Sequence, residues 1–284
     1  MHNRIWQRSY SLRSGGKLEL GNRTLIMGIL NTTPDSFSDG GRYMEPEKAV
    51  EHARKLIDEG ADIIDIGGES TRPGSQPVPL EEELRRVIPV IEAIRKEFPE
   101  TVISIDTYKA ETASRALSAG ADILNDIWSL QGDPAMAATA AEYDCPVILS
   151  HNRSQAVYGN LVNDVIIDLH SSIELALRSG VRNSNIWLDP GIGFAKTHDH
   201  NLELMGALDA LGAMGYPVLL GTSRKLFIRT VLDLPANDVL EGTAATVTLG
   251  IAQGCQVVRV HDVAHIARTV RMTDAVVYHK SANG

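Results

Sequence analysis

Asn31, Asp106, Asn125, Asp189, Lys225, Arg259 and His261 combine reactive side chains with a recurring position. Each ends or closely follows a short aliphatic run. Asp106, Asn125 and Asp189 offer hydrogen-bond acceptors, and together they suit a flat heterocycle carrying amino and ring N–H donors. Lys225 adds a donor for the other edge of such a ring. Arg259 is planar and can stack on an aromatic face. Arg259 and His261 stand two apart on a strand and so point to one side of it. With Asn31 they form a site for an anion or a metal–phosphate group. Taken singly, each residue reads better as a satisfied structural polar group, and Asp106 and Asp189 as helix caps. Polar residues at every strand end are hard to explain by capping alone. The chain has no zinc-spaced His/Cys cluster, no nucleophile elbow and no phosphate-binding Gly-x-x-x-x-Gly-Lys loop.

The elements that must position these residues alternate. Leu25, Ile26, Met27, Ile29 and Leu30 form a strand that reads as buried on both faces. It breaks at Asn31 into a polar loop reaching Gly41. Further strands are predicted at 61–66, 101–106, 121–126, 146–149, 186–189, 217–221 and 256–260. Helices are predicted at 46–59, 80–98, from 110 onward, at 134–143, 163–179, 200–211, 237–253 and 263–278, with a short extra helix at 225–232. Gly60, Gly120 and Gly254 recur as helix stops ahead of strands. A strand–helix alternation of this length, in a chain of 284 residues, predicts a (β/α)8 TIM barrel. Such barrels keep their chemistry at the carboxyl ends of the strands, where the polar residues fall. A doubly wound open sheet is the rival fold, but residues 27–41 lack its Gly-x-Gly-x-x-Gly turn. Ahead of the barrel, 4–20 predicts a β-hairpin turning at Ser14-Gly15-Gly16. Arg4, Arg8, Arg13 and Arg23 are expected on its solvated face rather than in a transit peptide. No linker divides the chain, so 1–284 reads as one domain with 1–23 as a hairpin extension.

Composition narrows the function. Apolar residues make up 43% and charged residues 22%, as in an ordinary globular protein. A net charge of −9 argues against a general nucleic-acid partner. No apolar run is long enough for a membrane span, and the first ten residues lack a signal peptide's apolar core. The expectation is a cytoplasmic protein with no membrane partner. Cys145 and Cys255 are expected as reduced core thiols.

Several motifs together resemble the dihydropteroate synthase family. They are Met27-Gly-Ile-Leu-Asn-Thr-Thr-Pro-Asp-Ser-Phe-Ser-Asp-Gly-Gly41, Gly67-Gly-Glu-Ser-Thr-Arg-Pro-Gly74, Ser104-Ile-Asp106, Asn125-Asp-Ile127, Leu188-Asp-Pro-Gly-Ile-Gly-Phe194, Gly221-Thr-Ser-Arg-Lys225 and Arg259-Val-His-Asp262. The resemblance implies a transferase of folate biosynthesis. It would join 6-hydroxymethyl-7,8-dihydropterin diphosphate to p-aminobenzoate, releasing diphosphate by a dissociative substitution. By motif, Asp106, Asn125, Asp189 and Lys225 would hold the pterin edge, with Thr71 also at a substrate position. Arg259 would cover the ring, Arg259 and His261 would hold the diphosphate, and Asn31 would ligate Mg²⁺. Asp35 would stabilise the positive charge left on the pterin. Thr33, Pro34 and Phe37 of one loop, and Thr71, Arg72 and Pro73 of another, would close over the p-aminobenzoate.

Two departures stand out. Leu226 replaces a serine that contacts the p-aminobenzoate carboxylate in the family, and Ser150 replaces a methionine that lines the pterin pocket in many relatives. The resemblance also implies a homodimer and a sulfonamide target. Three alternatives stay open: a pterin-binding paralogue without synthase activity, a methyltetrahydrofolate-binding methyltransferase module, and an aldolase using Lys225 as a Schiff base.

Overall fold

Alternation of side chains along short aliphatic strands sorts their residues into an inner and an outer layer. The computed structural model, which describes residues 7–32, 46–70 and 76–279, closes those strands into a barrel. The strands are β3 (Leu25–Asn31), β4 (Ile63–Gly67), β5 (Val102–Asp106), β6 (Ile123–Asp126), β7 (Val147–Ser150), β8 (Ile186–Asp189), β9 (Leu219–Leu220) and β10 (Val257–Val260). They form one eight-stranded sheet in the order β8-β7-β6-β5-β4-β3-β10-β9. A bridge between Leu188 and Val218 joins the two ends, so the sheet is a nearly closed barrel. The expected (β/α)8 architecture is present.

Outside it lie α1 (Pro46–Asp58), α2 (Leu80–Glu97), α3 (Ala110–Ala119), α4 (Met136–Tyr143), α5 (Leu161–Arg178), α6 (His198–Met205), α7 (Leu208–Gly212), α8 (Leu226–Leu232), α9 (Leu240–Ala252) and α10 (Val263–Val277). Among the described residues, no helix is long and apolar enough to cross a membrane. Gly60, Gly120 and Gly254 take φ of 106°, 118° and 99°, the left-handed turn expected where a helix stops before a strand. Cys145 and Cys255 are buried and unbridged.

The expected 200–211 helix is two helices. The Gln253 side chain enters the break. Its Oε1 accepts the Leu208 N–H at 3.0 Å and its Nε2 donates to Met205 O at 2.8 Å. Those backbone groups therefore find partners without a continuous helix. The strand expected at 217–221 shortens to β9, because Val218 pairs through the single bridge that closes the barrel.

Outward residues such as Ile64, Ile66, Ile103, Ile105, Leu124 and Val258 pack under the helices. Inward residues divide along the barrel axis. At the base, Met27, Ile63, Val102, Ile123, Ile148, Trp187, Leu219 and Val257 form an apolar plug. The hairpin, β1 (Arg8–Ser11) and β2 (Lys17–Leu20), pairs antiparallel and presses Tyr10, Leu12, Leu18 and Leu20 onto that plug.

Of the hairpin arginines, Arg13 and Arg23 lie on a solvated face as expected, Arg8 is half-buried, and Arg4 lies outside the described residues. Arg8 Nη1 donates to Ser184 O at 2.8 Å, Arg23 Nη1 to Asp62 Oδ2 at 2.8 Å, and the Arg13 guanidinium lies 5.0 Å from the Tyr143 ring centroid. They tie the hairpin and the first barrel strand to the barrel, because the base loops present carbonyls and a carboxylate to them.

Trp187 donates its indole N–H to Tyr10 OH at 2.8 Å, and that hydroxyl donates on to Ser184 O at 2.8 Å. Tyr10→Phe leaves the fully buried indole N–H without an acceptor, a loss of about 1–3 kcal/mol. Denaturant titration should register it while turnover stays unchanged. Equal stability in both proteins would show that this hydroxyl does not anchor the hairpin.

Candidate active site

Towards the carboxyl ends of the strands the same inward positions turn polar. Parallel pairing aligns Asn31 with Gly67, Gly67 with Asp106, and Asp106 with Asn125. A Cβ at Gly67 would lie 3.7 Å from Asp106 Oδ2 and 3.8 Å from Asn31 Oδ1, so the bare glycine lets those groups share one opening. One layer deeper, Asp65 pairs in register with Ser104. On the far side Ser150 aligns with Asp189.

Arg259, inward on β10, reaches across this ring. Its Nε donates to Asp65 Oδ2 at 2.5 Å and its Nη2 to Asp106 Oδ2 at 2.7 Å. Asn125 Nδ2 donates to the same Asp65 oxygen at 3.3 Å. Asp65 Oδ1, Asp106 Oδ1, Asn125 Oδ1 and Ser104 Oγ are buried with no partner among the described residues. Unpaired buried acceptors are costly and rare. Clustered at one mouth, they form a receptor for a ligand that presents N–H donors.

Asp189 Oδ1 accepts the Gly191 N–H at 2.7 Å. Gly191 has φ of 66°, and a Cβ there would lie 1.8 Å from His151 O. Only glycine lets the chain turn that tightly beneath the mouth. Lys225, after β9, donates to Ile192 O and lies 4.7 Å from the Phe194 ring centroid. His261 Nδ1 is 3.0 Å from Ser223 Oγ, and Arg224 makes a two-bonded pair with Asp262 at 3.0 and 2.6 Å. These contacts lock the ends of β9 and β10 together.

The charges are strongly perturbed. Burial pushes the Asp106 carboxyl up to about 7, with Arg259 opposing and Asp65, Glu83 and Asp126 adding to the rise. Burial also raises Asp189, held back by Lys225 and the Gly191 N–H. Burial brings Lys225 down to about 8, with Asp189 opposing. For Arg259 burial works against the charge, but Asp65 and Asp106 outweigh it and hold the guanidinium fully ionised. The mouth thus holds cations and carboxylates in a site sheltered from water, where hydrogen bonds to a ligand count for most.

Asn31, Asp106, Asn125, Asp189, Lys225, Arg259 and His261 therefore lie at one end of the barrel, as the strand ends predict. Asp106 and Asp189 do not begin helices. α3 is entered from Lys109, and the Asp189 carboxylate folds onto its own turn. Leu226, opening α8, is 67% exposed. Thr33, Pro34, Asp35, Phe37, Thr71, Arg72 and Pro73 lie outside the described residues. Sequence reasoning missed Asp65, although an acid at an inward position of an aliphatic strand was a usable signal. It also missed the cluster of Lys196, His151 and Asp168, for which no local pattern exists.

The folded-state value for Asp106, about 7, lies above its ordinary 3.8. Between those values the folded chain keeps a proton that the unfolded chain has lost, so stability falls as pH rises through the window. Asp106→Asn removes this titration. Its Tm should therefore gain on the parent's as pH rises from about 4 to about 7. Melting curves that stay parallel across that range would mean that the carboxyl ionises without penalty.

Residues 27–261 match the family model described as pterin binding enzyme. The dihydropteroate synthase of Bacillus subtilis (strain 168) is 56% identical, over 91% of this chain and 90% of that protein. Among solved structures, dihydropteroate synthase from Clostridium difficile, determined in the presence of pteroic acid, is 49% identical with a TM-score of 0.88, covering 91% of this chain and 98% of that one. The Xanthomonas albilineans enzyme with 4-aminobenzoic acid is 38% identical with a TM-score of 0.91, covering 97% and 100%.

Proposed function

This chain belongs to the pterin-binding enzyme family and, within it, to the dihydropteroate synthases, and from that premise we propose how its own residues carry the reaction. The enzyme is a transferase that condenses 6-hydroxymethyl-7,8-dihydropterin diphosphate with p-aminobenzoate to give 7,8-dihydropteroate and diphosphate. The observation that carries the assignment of residues is the set of unpaired buried acceptors, Asp65 Oδ1, Asp106 Oδ1 and Asn125 Oδ1, at one mouth. A pterin edge presents the amino and ring N–H donors they lack.

In this reading Asp106, Asn125 and Asp189 accept from the pterin, and Lys225 donates to its opposite edge. Thr71 of the second loop adds a contact. Arg259 lies over the ring, and with His261 it faces the diphosphate. The family resemblance implies Mg²⁺ at Asn31. The donor set fits, because a hard cation shared with a diphosphate takes amide or carboxylate oxygens and needs only one or two protein ligands. Among the described residues, no group of three or more His, Cys, Asp or Glu is placed to hold a metal on its own. When bound, the ion supplies charge neutralisation to the leaving group.

The chain's own residues do the rest. Arg259 and His261 stabilise the diphosphate as the methylene C–O bond breaks and the electron pair leaves with oxygen. The ring spreads the resulting positive charge, which Asp35 would stabilise by the resemblance. The p-aminobenzoate nitrogen then forms the new C–N bond and gives up a proton to the departing diphosphate. By the resemblance, Thr33, Pro34 and Phe37, with Thr71, Arg72 and Pro73, would cover this substrate and exclude water. A homodimer and sulfonamide sensitivity belong to the same reading through the resemblance, and a cytoplasmic setting through the composition.

Two substitutions separate binding from chemistry. Asp189→Asn puts amide donors where acceptors are needed, a buried mismatch of roughly 1–3 kcal/mol, and should weaken pterin diphosphate binding about tenfold or more by calorimetry. Asp35→Ala should lower turnover far more than affinity. Unchanged affinity in the first, or parallel losses in the second, would overturn the role concerned.

Leu226 governs the second substrate. A serine there adds one hydrogen bond to a carboxylate, worth about 1.5–3 kcal/mol. Leu226→Ser should therefore lower the KM for p-aminobenzoate about tenfold and leave pterin diphosphate binding unchanged. Steady-state kinetics decides this. An unmoved KM would remove position 226 from the site.

A further inference from the structure

Lys196 lies in the loop after β8, outside every residue given a role above. Its Nζ is 3.0 Å from Gly191 O, 3.1 Å from Phe194 O and 2.8 Å from His151 Nδ1. The other ring nitrogen of His151, Nε2, is 3.0 Å from Asp168 Oδ2, which Arg153 Nε also approaches at 2.6 Å. An ionised carboxylate cannot donate, so Nε2 carries the ring proton and Nδ1 accepts. Burial brings Lys196 down to about 7, with Asp189 opposing, and in its protonated form its three N–H donors meet three acceptors. Burial keeps His151 neutral, down to about 4, in keeping with that tautomer.

The two carbonyls held by Lys196 belong to Gly191 and Phe194, on either side of Ile192. Ile192 O in turn accepts from Lys225. Gly193 completes the trough, since a Cβ there would come within 2.9 Å of Lys225 Cδ. The Gly193 N–H is fixed by Asn201 Oδ1 at 2.6 Å, and the Gly191 N–H by Asp189 Oδ1 at 2.7 Å. The turn that receives Lys225 is therefore held at both ends by one side chain, which is itself anchored through His151 and Asp168 to β7 and α5.

We propose that Lys196 is a positioning residue for the pterin edge: it fixes the turn from Gly191 to Phe194 so that the Ile192 carbonyl holds the Lys225 ammonium at the mouth. The proposal rests on the reading above, in which Lys225 donates to the pterin. Lys196 itself touches neither substrate and acts only through Lys225. Its loss should therefore be felt only while Lys225 is present.

A double-mutant cycle on the full-length enzyme tests this, with calorimetric pterin diphosphate affinity as readout. Lys196→Met should weaken binding about fivefold or more in the parent and change it less than about twofold in a Lys225→Met background. Lys196→Gln, which keeps two amide donors, should recover part of the loss. The KM for p-aminobenzoate should stay within about twofold. Equal losses in both backgrounds would mean a general structural role, and unchanged affinity in the first would mean none. Either overturns the proposal while leaving the function intact. Should Lys196→Met fail to fold by circular dichroism, Lys196→Gln takes its place in the cycle with the same two outcomes. A parent enzyme that binds no pterin diphosphate overturns the functional reading, and this proposal with it.

Discussion

Arg259 and its two carboxylates set the terms for the rest of the barrel mouth. The Asp65 side chain is fully buried, that of Asp106 is 5% exposed and that of Arg259 is 20% exposed. Charges taken that far from water need close partners, and removing one partner leaves the others uncompensated. Burial is the main reason Asp106 resists ionisation; Arg259 opposes it, and the neighbouring acids, Asp65 first, add to the rise. The arginine occupies one oxygen of each acid and leaves the other unpaired. The arrangement is costly to the folded chain and favourable to a ligand that brings donors, the usual exchange between stability and function at a preorganised site.

The apolar base makes that exchange possible. The hairpin covers the amino end of the barrel with Tyr10, Leu12, Leu18 and Leu20, placing an apolar layer between the polar residues and solvent at that end. In a low-dielectric interior each charge interacts strongly with its neighbours. The outer aliphatic layer packs under helices that return the chain to the base, leaving the carboxyl ends of the strands free to carry polar residues.

The loops at the mouth are anchored by buried polar networks at their roots. Lys109 Nζ donates to Glu69 at 2.6 Å and to Glu83 at 2.7 Å, while Tyr108 OH donates to Glu69 at 2.8 Å. Arg86 holds Gly68 O at 2.8 Å. A Cβ at Gly68 would lie 2.8 Å from a Val87 methyl, so the segment entering the second loop sits flush on α2. On the opposite side Lys196 plays the comparable part for the loop after β8. In each case an ammonium bridges a loop and a neighbouring element.

Much of this was legible in the chain itself. Strand–helix alternation, glycine helix stops and an inward parity that ends polar determine the barrel and the placing of Asn31, Asp106, Asn125, Asp189, Lys225, Arg259 and His261, because those patterns follow from local geometry with periods of a few residues. Their partners were decided only by tertiary structure. Arg259 finds Asp65 across 194 positions, Lys196 finds His151 across 45, and Gln253 fills the break at Met205 across 48. Arg8 likewise finds Ser184 O across 176 positions. A polar group's nearest acceptor is set by how the strands close into a ring, and no short-range pattern encodes which ends will meet.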